Sequence, residues 1–492
     1  MRALSSWLDD AAQAAAGLLH EMEADPAGRF SSSIYETGRL VSLAPSLPGH
    51  RERVRFLLDR QRLDGGWGGP GNYALVPTLS ATEALLTEGN TAAVRGLGAL
   101  FRWLNGPEQP TLPDTVAIEI IVPALIADIN AHLARRGGHR LLSPESTDTA
   151  LLGRLREEAA NGRPMPPKLL HSLEILGPDA RNGFSAVGGH DGVGCSPAAT
   201  AAWLGDHAIR TGRDPAVRYL NATRALDGGV PVAAPLGLFE RSWVLATLAE
   251  AGLTTSATPE LVHSLRSALS DSGASGGPGL PPDVDDTATV LYALALLGHP
   301  QPPDSLRPYH SGTHFSCFPD ERTPSCSANA HVLQALGRSG AETATLAYWL
   351  CERQNPDGSW SDKWHASPHY ATRCCAVALA EHGGAASTKA ISLAAHWVLC
   401  NQYPDGSWGT QEETAYALRV LLVRDTSPTT AAAITRGVRY LLDSSADKNH
   451  PPLWHDKDLY TPTRIVQAEI LAALQLSRTD RDVGEPVWSS AS

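Results

Sequence analysis

The 492-residue sequence lacks several features that would assign it to common protein classes. No uncharged apolar run reaches about 18 residues, so no membrane span is predicted. The N-terminal segment carries Asp9 and Asp10 inside its apolar stretch and has no basic region, so we expect no signal peptide. The 40 Lys and Arg residues against 52 Asp and Glu residues give a formal net charge of -12, which disfavours nucleic-acid binding.

Cysteine pairs with redox or zinc spacing are also missing. The seven cysteines are odd in number, none shows C-x-x-C spacing, and several lie in apolar helical stretches. We therefore expect reduced, mostly buried thiols and a cytoplasmic location. Sustained alternation of polar and apolar residues is absent, whereas many segments have helical spacing and end in glycine, so the protein is predicted to be all-α.

A short repeat, Q-x-x-D-G-x-W, is present three times. It occupies residues 61–67, 354–360 and 402–408, and an apolar helix precedes each copy. We expect the helix to end, Asp-Gly to make a turn, the Trp to fold back over the helix ends and the Gln to bind freed backbone groups. The repeat is therefore structural, Trp67 included. Repeated helix pairs that close in a ring form an α/α-barrel.

Three carboxylates, Asp283, Asp285 and Asp286, precede the apolar run from Thr289 to Leu297. Capping of a helix by acidic residues is the simpler interpretation. However, capping needs one carboxylate, and the helix is too apolar for the surface. In a dry site, crowded carboxylates cannot all ionise, and burial with like charge shifts a pKa by up to about 3–5 units. The cluster would then be a strong acid next to an apolar pocket, able to protonate an alkene.

The D-x-D-D cluster and the Trp repeats together resemble the class II terpene cyclases. Further stretches resemble the class II diterpene cyclases that make copalyl-type diphosphates, in particular their bacterial branch. These stretches are SSSIYETGRL (31–40), GGWGGPGNYALVPTLSATEALL (65–86), LPDTVAIEIIVPAL (112–125), PPKLLHSLEIL (166–176), SPAATAAWL (196–204), PLGLFERSWVL (235–245), NAHVLQAL (329–336) and KDLYTPTRIV (457–466).

The resemblance implies a fold of two α/α-barrel domains, called β and γ, with the active site between them. The β domain would comprise residues 1–27 plus 265–492, and the γ domain would be inserted as residues 28–264. A class I ionising site needs D-D-x-x-D, and Asp285-Asp286-Thr-Ala-Thr289 lacks the last carboxylate. The chain is therefore expected to protonate its substrate and to leave the diphosphate in place.

The resemblance also assigns a reaction. Asp285 would be the general acid that protonates the terminal alkene of geranylgeranyl diphosphate, and successive double bonds would close a decalin before a proton is lost. Asp283 and Asp286 would orient Asp285. Asn329 resembles the family's Asn that hydrogen-bonds the acid, although a polar residue at a helix start is an equally good interpretation. A drimane-forming cyclase that takes farnesyl diphosphate is the main alternative.

A carbocation needs a dry, aromatic-lined cavity, and its diphosphate needs cations. For each aromatic candidate, ordinary core packing is the competing interpretation, and for each cation a surface role. The aromatic candidates are Tyr35, Phe239, Trp243, Phe315 and Trp364, and the diphosphate-binding candidates are Lys363, Lys457 and Arg464. For Mg²⁺, the stretch that corresponds to the family's acidic motif offers Glu108, Asp114 and Glu119, of which Glu119 lies between apolar residues.

The terminal base is where the sequence departs from the plant relatives. Their L-H-S and P-N-V segments supply a His and an Asn that hold the deprotonating water. Leu170-His171-Ser172 is present, but Val232 stands in place of the Asn. His171 is therefore a candidate base or a core histidine.

Two other classes are considered. A protein prenyltransferase-like barrel would need a zinc triad of Asp, Cys and His and a partner subunit; we find no convincing triad, and D-x-D-D would have no use in it. A non-catalytic helical-repeat scaffold predicts that nothing changes when Asp285 is altered. Expected partners are a small-molecule prenyl diphosphate, a homodimer copy, and a downstream class I terpene synthase or phosphatase that uses the product.

Overall fold

Helices form where the sequence places apolar residues at helical spacing, and Ser, Thr or Asp caps many of them. The computed structural model describes residues 2–184, 192–212, 214–254, 257–319, 321, 323–423, 427–447 and 449–484. Many helices begin at a side chain that accepts a backbone N–H, as Ser325 does from Ala328 and Thr410 from Glu413. The prediction of an all-α protein is confirmed, because the strands within the described residues are short.

The helices are α1 (Arg2–Ala24), α2 (Ile34–Leu43), α3 (His50–Asp59), α4 (Leu75–Thr87), α5 (Ala93–Leu104), α6 (Ile118–Ala134), α7 (Thr149–Ala160), α8 (Pro197–Thr211), α9 (Pro215–Ala222), α10 (Gly237–Glu250), α11 (Pro259–Ala268), α12 (Val284–Leu296), α13 (Cys326–Ser339), α14 (Ala344–Glu352), α15 (Pro368–His382), α16 (Thr388–Cys400), α17 (Gln411–Leu421), α18 (Pro428–Asp443) and α19 (Thr463–Gly484). Segments of 3-10 helix are Gly71–Ala74, Pro167–Asn182, Pro303–Tyr309 and Ala385–Ser387. Two antiparallel pairs of strands are β1 (Ser32–Ser33) with β2 (Val230–Pro231), and β3 (Trp454–His455) with β4 (Leu459–Tyr460).

The helices close into two rings. In the γ ring, α2, α4, α6, the 3-10 segment Pro167–Asn182 and α8 pack in that order, and α8 returns to α2. In the β ring, α10, α12, α13, α15, α17 and α19 follow one another, and α19 packs back on α10. The remaining helices lie outside these inner ones, with α1 against α19. Each ring therefore has an inner layer of parallel helices that return through outer helices.

The expected boundary between the domains is wrong in one place. We expected residues 237–264 to belong to the γ domain, but α10 completes the inner β ring between α12 and α19, and α11 packs on α10 and α12. The β ring therefore starts with α10. The physical reason is that six inner helices are needed to close this ring, and the part after residue 265 supplies five.

The Q-x-x-D-G-x-W turns have the expected local structure. In each, the Trp indole donates to a carbonyl of the preceding helix, as Trp360 does to Leu350 at 2.8 Å. The Gln binds the turn and the next outer helix, as Gln354 does through Gly358 O and Ala390 O, both at 2.8 Å. Gly358 has φ +99, and an added Cβ would lie 2.5 Å from Leu393 O, so only glycine fits.

A further turn of this geometry lies at residues 225–229, where the sequence has neither the Gln nor the Trp. Asp227 Oδ1 accepts from Gly229 N at 3.0 Å, as Asp64 Oδ1 does from Gly66 N at 3.0 Å. Gly228 also has a left-handed φ of +87 and packs against the outer helix α3 at Glu52. The repeat is thus a packing device that tolerates loss of its most visible residues.

A buried polar network forms the floor of the β ring. Arg373 on α15 and Arg419 on α17 bind Glu250 on α10 and Glu469 on α19. Tyr292 on α12 and Gln334 on α13 also donate to Glu250, at 3.0 and 3.2 Å. All six inner helices therefore contribute to the floor: Glu250, Tyr292, Gln334, Arg373, Arg419 and Glu469.

The segment between α18 and α19 joins the rings. Asp458 Oδ2 accepts from the backbone of Ile34 and Tyr35 at the start of α2, at 2.9 and 3.1 Å. Ser31 N donates to Thr461 O at 3.0 Å. A carboxylate of the β part therefore caps the first inner helix of the γ ring.

Two expectations from composition can be compared with the described residues. All seven cysteines are free thiols, and most are buried. Among the described helices, none has the length and apolar character that a membrane crossing requires.

Candidate active site

The D-x-D-D cluster forms the first turn of α12. Asp283 is the N-cap, and its Oδ1 accepts from Asp286 N at 2.8 Å. Asp285 and Asp286 follow in the first helical turn. The capping interpretation therefore holds for Asp283, whereas it does not explain Asp285 and Asp286.

Burial changes the proton affinity of this cluster. It raises the pKa of Asp283 to about 7 and, together with the charge of Asp283, raises the pKa of Asp286 well above its usual range. Oδ1 of Asp286 is buried without a hydrogen-bond partner. Asp286 is therefore the group that keeps a proton, and Asp283 is the next in order.

Asp285 is held by a residue that the sequence analysis missed. His331 Nδ1 lies 2.6 Å from Asp285 Oδ1, and the Asp285 side chain is 15% exposed. Burial alone would lower the pKa of His331, but the charge of Asp285 outweighs it and raises this pKa to about 10. His331 therefore donates to Oδ1 of Asp285 as an imidazolium. The signal in the sequence was the His two residues after Asn329.

The expected role of Asn329 is wrong. Its Oδ1 accepts from Phe315 N at 2.8 Å, and its Nδ2 donates to Phe315 O at 2.8 Å and Ser325 O at 2.7 Å. With its amide used in this way, Asn329 does not hold Asp285. It fixes the segment at Phe315, which runs beside the start of α12 through the bond from Val284 N to Cys317 O.

Aromatic rings line one side of the acid. Trp243 packs edge-on against His331 at 5.4 Å between ring centroids, and Phe239 lies 4.6 Å from Trp243. Trp454, which the sequence analysis did not select, continues the series at 5.8 Å from Phe239. The structure thus brings Phe239 and Trp243 together with the acid. We call His331, Trp243, Phe239 and Trp454 the aromatic wall.

The other aromatic candidates have different surroundings. Tyr35 is wrong as a cavity residue, because it is buried and its hydroxyl donates to Glu174 at 2.6 Å. The Phe315 ring packs on His310, at 5.1 Å. The Trp364 ring lies 5.2 Å from the Lys363 ammonium group.

His171 is not a base in this structure. Its Nδ1 lies 2.6 Å from Gly194 O and its Nε2 2.9 Å from Asp456 Oδ1. Burial opposes protonation, but the charge of Asp456 raises the pKa of His171. Both ring nitrogens therefore donate, and neither can accept a proton. The buried side chain of Val232 gives no polar group in the position of the expected Asn.

Lys457 is wrong as a diphosphate ligand. It is fully buried between the rings, where it pairs with Glu36 and Glu174. Its Nζ also donates to Ser196 Oγ at 2.9 Å and His171 O at 2.8 Å. The residue joins the γ ring to the β segment that carries it.

The remaining two cations are also paired. Arg464 is buried and binds Glu240 at 2.8 Å and Asp25 at 3.0 Å, so it ties α19 to α10 and α1 and is wrong as a diphosphate ligand. Lys363 pairs with Glu321 and donates to Thr323 O at 2.7 Å. Lys363 lies where the two rings meet. Asp114 of the γ part is near Lys363, and Tyr73 of the γ part packs 4.7 Å from His455 in the adjacent β3.

The three carboxylates chosen for Mg²⁺ do not form a joint site. Glu108 and Asp114 are exposed and Glu119 is half-buried. Within the described part of the chain, no three His, Cys, Asp or Glu side chains lie together as metal ligands. The stretch includes an irregular loop and the start of α6, so its carboxylates diverge. Asp114 is near Lys363.

Fold and acid together define a class II terpene cyclase. The squalene-hopene cyclase C-terminal domain model matches residues 320–464. The structure of ent-copalyl diphosphate synthase from Streptomyces platensis superposes with a TM-score of 0.89 at 44% identity, covering 95% of this chain and 100% of that one.

Two curated relatives narrow the assignment. An ent-copalyl diphosphate synthase from Streptomyces sp. (strain KO-3988) is 45% identical over 490 residues, 94% of this chain and 95% of that protein. A labda-7,13-dienyl diphosphate synthase from Streptomyces clavuligerus is 40% identical over 522 aligned residues, with 97% and 94% covered. The chain belongs to the bacterial class II diterpene cyclases.

Proposed function

We propose that this enzyme cyclises geranylgeranyl diphosphate to a bicyclic copalyl-type diphosphate and leaves the diphosphate ester intact. The observation that carries the proposal is the pair of Asp285 and His331 next to the aromatic wall. The relatives described above support the product class, since they are copalyl and labdane-type diphosphate synthases. They give no support to the farnesyl alternative.

The first step is protonation of the terminal alkene. A carboxylic acid transfers a proton to an alkene only if its conjugate base is strongly stabilised. The imidazolium of His331 supplies this stabilisation at Oδ1, while the proton leaves from Oδ2 of Asp285. The alkene π electrons form the new C–H bond, and a tertiary cation remains.

Ring closure would follow beside the aromatic wall. Two further double bonds attack in turn, and each forms a C–C bond and moves the positive charge along the chain. The faces of Phe239, Trp243 and Trp454 stabilise a cation by about 0.5–2 kcal/mol each. Exclusion of water by these rings prevents early capture of the cation. Loss of a proton from a carbon next to the final cation gives the alkene.

Retention of the diphosphate and the role of Mg²⁺ belong to the same proposal. The D-D-x-x-D pattern of ionising sites is incomplete after Asp285, so no metal-assisted ionisation is expected. A hard cation needs only one or two carboxylates besides phosphate oxygens, and Asp114 near Lys363 would suit it. Mg²⁺ would there neutralise diphosphate charge. The homodimer, the downstream class I synthase or phosphatase, and the cytoplasmic location likewise remain proposals.

The test is incubation of the purified enzyme with geranylgeranyl and farnesyl diphosphates in separate reactions, each with Mg²⁺ or with EDTA. Phosphatase treatment followed by mass spectrometry and chiral chromatography identifies the products. We expect a bicyclic C20 alcohol after phosphatase and no free pyrophosphate before it. Pyrophosphate as the main product, or conversion of the farnesyl substrate alone, would contradict the proposal.

A further inference from the structure

A second carboxylate, Glu412, lies across the β ring from Asp285. Both are at the end of the ring where α12 and α17 begin, which we call the mouth. Glu412 is the second residue after the N-cap Thr410 of α17, as Asp285 is the second after the N-cap Asp283 of α12. In the inner ring, α12 and α17 are separated by two helices on one side, α13 and α15, and by two on the other, α19 and α10. The two carboxylates therefore occupy equivalent positions on opposite helices.

Three donors converge on one oxygen of Glu412. Oε1 accepts from the Trp454 indole at 2.7 Å, from the Tyr416 hydroxyl at 2.9 Å and from His365 Nε2 at 3.2 Å. Nδ1 of His365 accepts from Ser367 N at 3.0 Å and lies 3.3 Å from Ser367 O. The hydrogen bonds of Glu412 are thus concentrated on one of its two oxygens.

Among the described residues, no lysine or arginine pairs with Glu412, and its ion-pair contact is with His365. The Glu412 side chain is 1% exposed, and its Oε2 is buried without a hydrogen-bond partner. Ordinary structural carboxylates in this ring, such as Glu250 and Glu469, are each bound by arginine. A purely structural role therefore does not explain why Glu412 is buried without an arginine partner.

Glu412 is connected to the aromatic wall through its hydrogen bonds. It binds Trp454 directly, and Tyr370 packs 4.8 Å from Trp454 and 5.5 Å from Tyr416. A carboxylate that accepts from an indole N–H or a phenol O–H increases the electron density of that ring, which strengthens its attraction for a cation. We infer that Glu412 is a positioning residue that makes the aromatic wall more negative and so stabilises the carbocations of the reaction. This inference rests on the proposed function.

The test compares a charged and an uncharged ligand. Glu412→Gln keeps the shape of the side chain and an acceptor for the three donors, but removes the charge. Dissociation constants are measured by calorimetry for a prenyl diphosphate analogue with an ammonium group at a cation position, and for its neutral carbon isostere. We expect the preference for the ammonium analogue to fall about tenfold, which corresponds to about 1.4 kcal/mol, while binding of the neutral isostere stays within about threefold.

Three further variants complete the design. Glu413→Gln, the neighbouring residue in the capping box of α17, is the matched control and should leave the ratio unchanged. Glu412→Asp keeps the charge and should restore part of the preference. Trp454→Phe removes the indole donor, so its effect and that of Glu412→Gln on the ratio should be less than additive.

The outcomes separate the inference from the proposed function. An unchanged ratio in a folded, active Glu412→Gln variant would overturn the inference alone. Equal weakening of both analogues, in Glu412→Gln and Glu412→Asp alike, would also overturn it, since loss of packing has that effect. If the wild-type enzyme does not convert geranylgeranyl diphosphate, the proposed function fails, and the inference fails with it.

Discussion

The two ends of the β ring, its floor and its mouth, differ in how their buried carboxylates are paired. At the floor, Glu250 is bound by Arg373 and Arg419. Burial alone would raise the pKa of Glu250, but the two arginines lower it to about 2. Glu250 is therefore ionised at any ordinary pH, and its arginine partners compensate its charge inside the ring.

At the mouth, the carboxylates lack such partners. Within the described residues, no ion pair involves Asp283 or Asp286, and the partner of Asp285 is a histidine. Crowding without compensation makes proton transfer easy, which arginine pairing would prevent. The comparison indicates that the arginine-paired carboxylates of the floor stabilise this ring, whereas the incompletely paired carboxylates of the mouth are available for proton transfer.

The largest expected effect is that of Asp285→Asn. The amide keeps the shape and can still accept from His331, but it has no acidic proton. We expect turnover of geranylgeranyl diphosphate to fall by at least about 10³-fold, with retained helical circular dichroism. Product formation is measured by mass spectrometry. Asp304→Asn, on an exposed 3-10 segment, is the control and should retain wild-type turnover. Substantial activity in Asp285→Asn would remove the acid from the mechanism.

At the floor, Arg373→Met should affect stability more than chemistry. The substitution leaves Glu250 and Glu469 with a single arginine in a buried site, which typically costs about 3–5 kcal/mol. Denaturant unfolding followed by circular dichroism measures the loss. The control is Arg338→Met, because Arg338 is 42% exposed and pairs with Glu381 at 4.0 Å, so about 0–1 kcal/mol is expected. Equal losses in both variants would contradict the floor's role.

The same contrast explains what the sequence could and could not predict. The repeats, the helix caps and the D-x-D-D turn are local, so their residues carry the prediction by themselves. Asp283 is an example, since its cap bond spans three residues. The ring order also follows from alternating inner and outer helices.

Side-chain partners across the rings were harder to predict. Lys457 looked free, but its carboxylate partner Glu174 is 283 residues away in the chain. His331 and Asn329 lie on the same helix, and a difference of about 200° around its axis decides which one meets Asp285. The partner of Lys457 has no local signal, and for His331 the sequence offers only its position two residues after Asn329. The paired cations that we mistook for diphosphate ligands follow the same rule, since a buried Lys or Arg needs a carboxylate.

The third prediction concerns the histidine that distinguishes the mouth from the floor. His331→Gln keeps a donor for Asp285 but removes the positive charge beside the carboxylate that forms when the proton is transferred. We expect kcat to fall roughly 100-fold with little change in KM, because the alkene is bound as before. Steady-state kinetics provide the measurement. His299→Gln, which is exposed after α12, should behave as wild type. A change in KM alone would assign His331 to substrate binding.

The smallest expected effect is a pH dependence of activity that arises from Asp283 at the mouth. Asp283 has a pKa of about 7 in the folded protein because of burial, above its value of about 4 in an unfolded chain. As pH rises through 7, Asp283 gains a negative charge beside Asp285, and we expect activity to fall by up to about tenfold per pH unit above that value. His331, with a pKa of about 10, does not titrate in this range.

The contribution of Asp283 to folding stability also decreases as pH rises. Because the folded state holds its proton more tightly, this contribution is full below about pH 4, decreases as pH rises and is lost above about pH 7. Glu36 in the γ ring also has a pKa raised to about 7 by burial, so the wild-type curve contains both groups. Asp283→Asn keeps a capping acceptor, and the difference between its curve and that of the wild type isolates the mouth. Asp148→Asn, which alters the cap of α7, is the control. If the activity of Asp283→Asn still declines above pH 7 as in the wild type, the titrating group lies outside the acidic cluster.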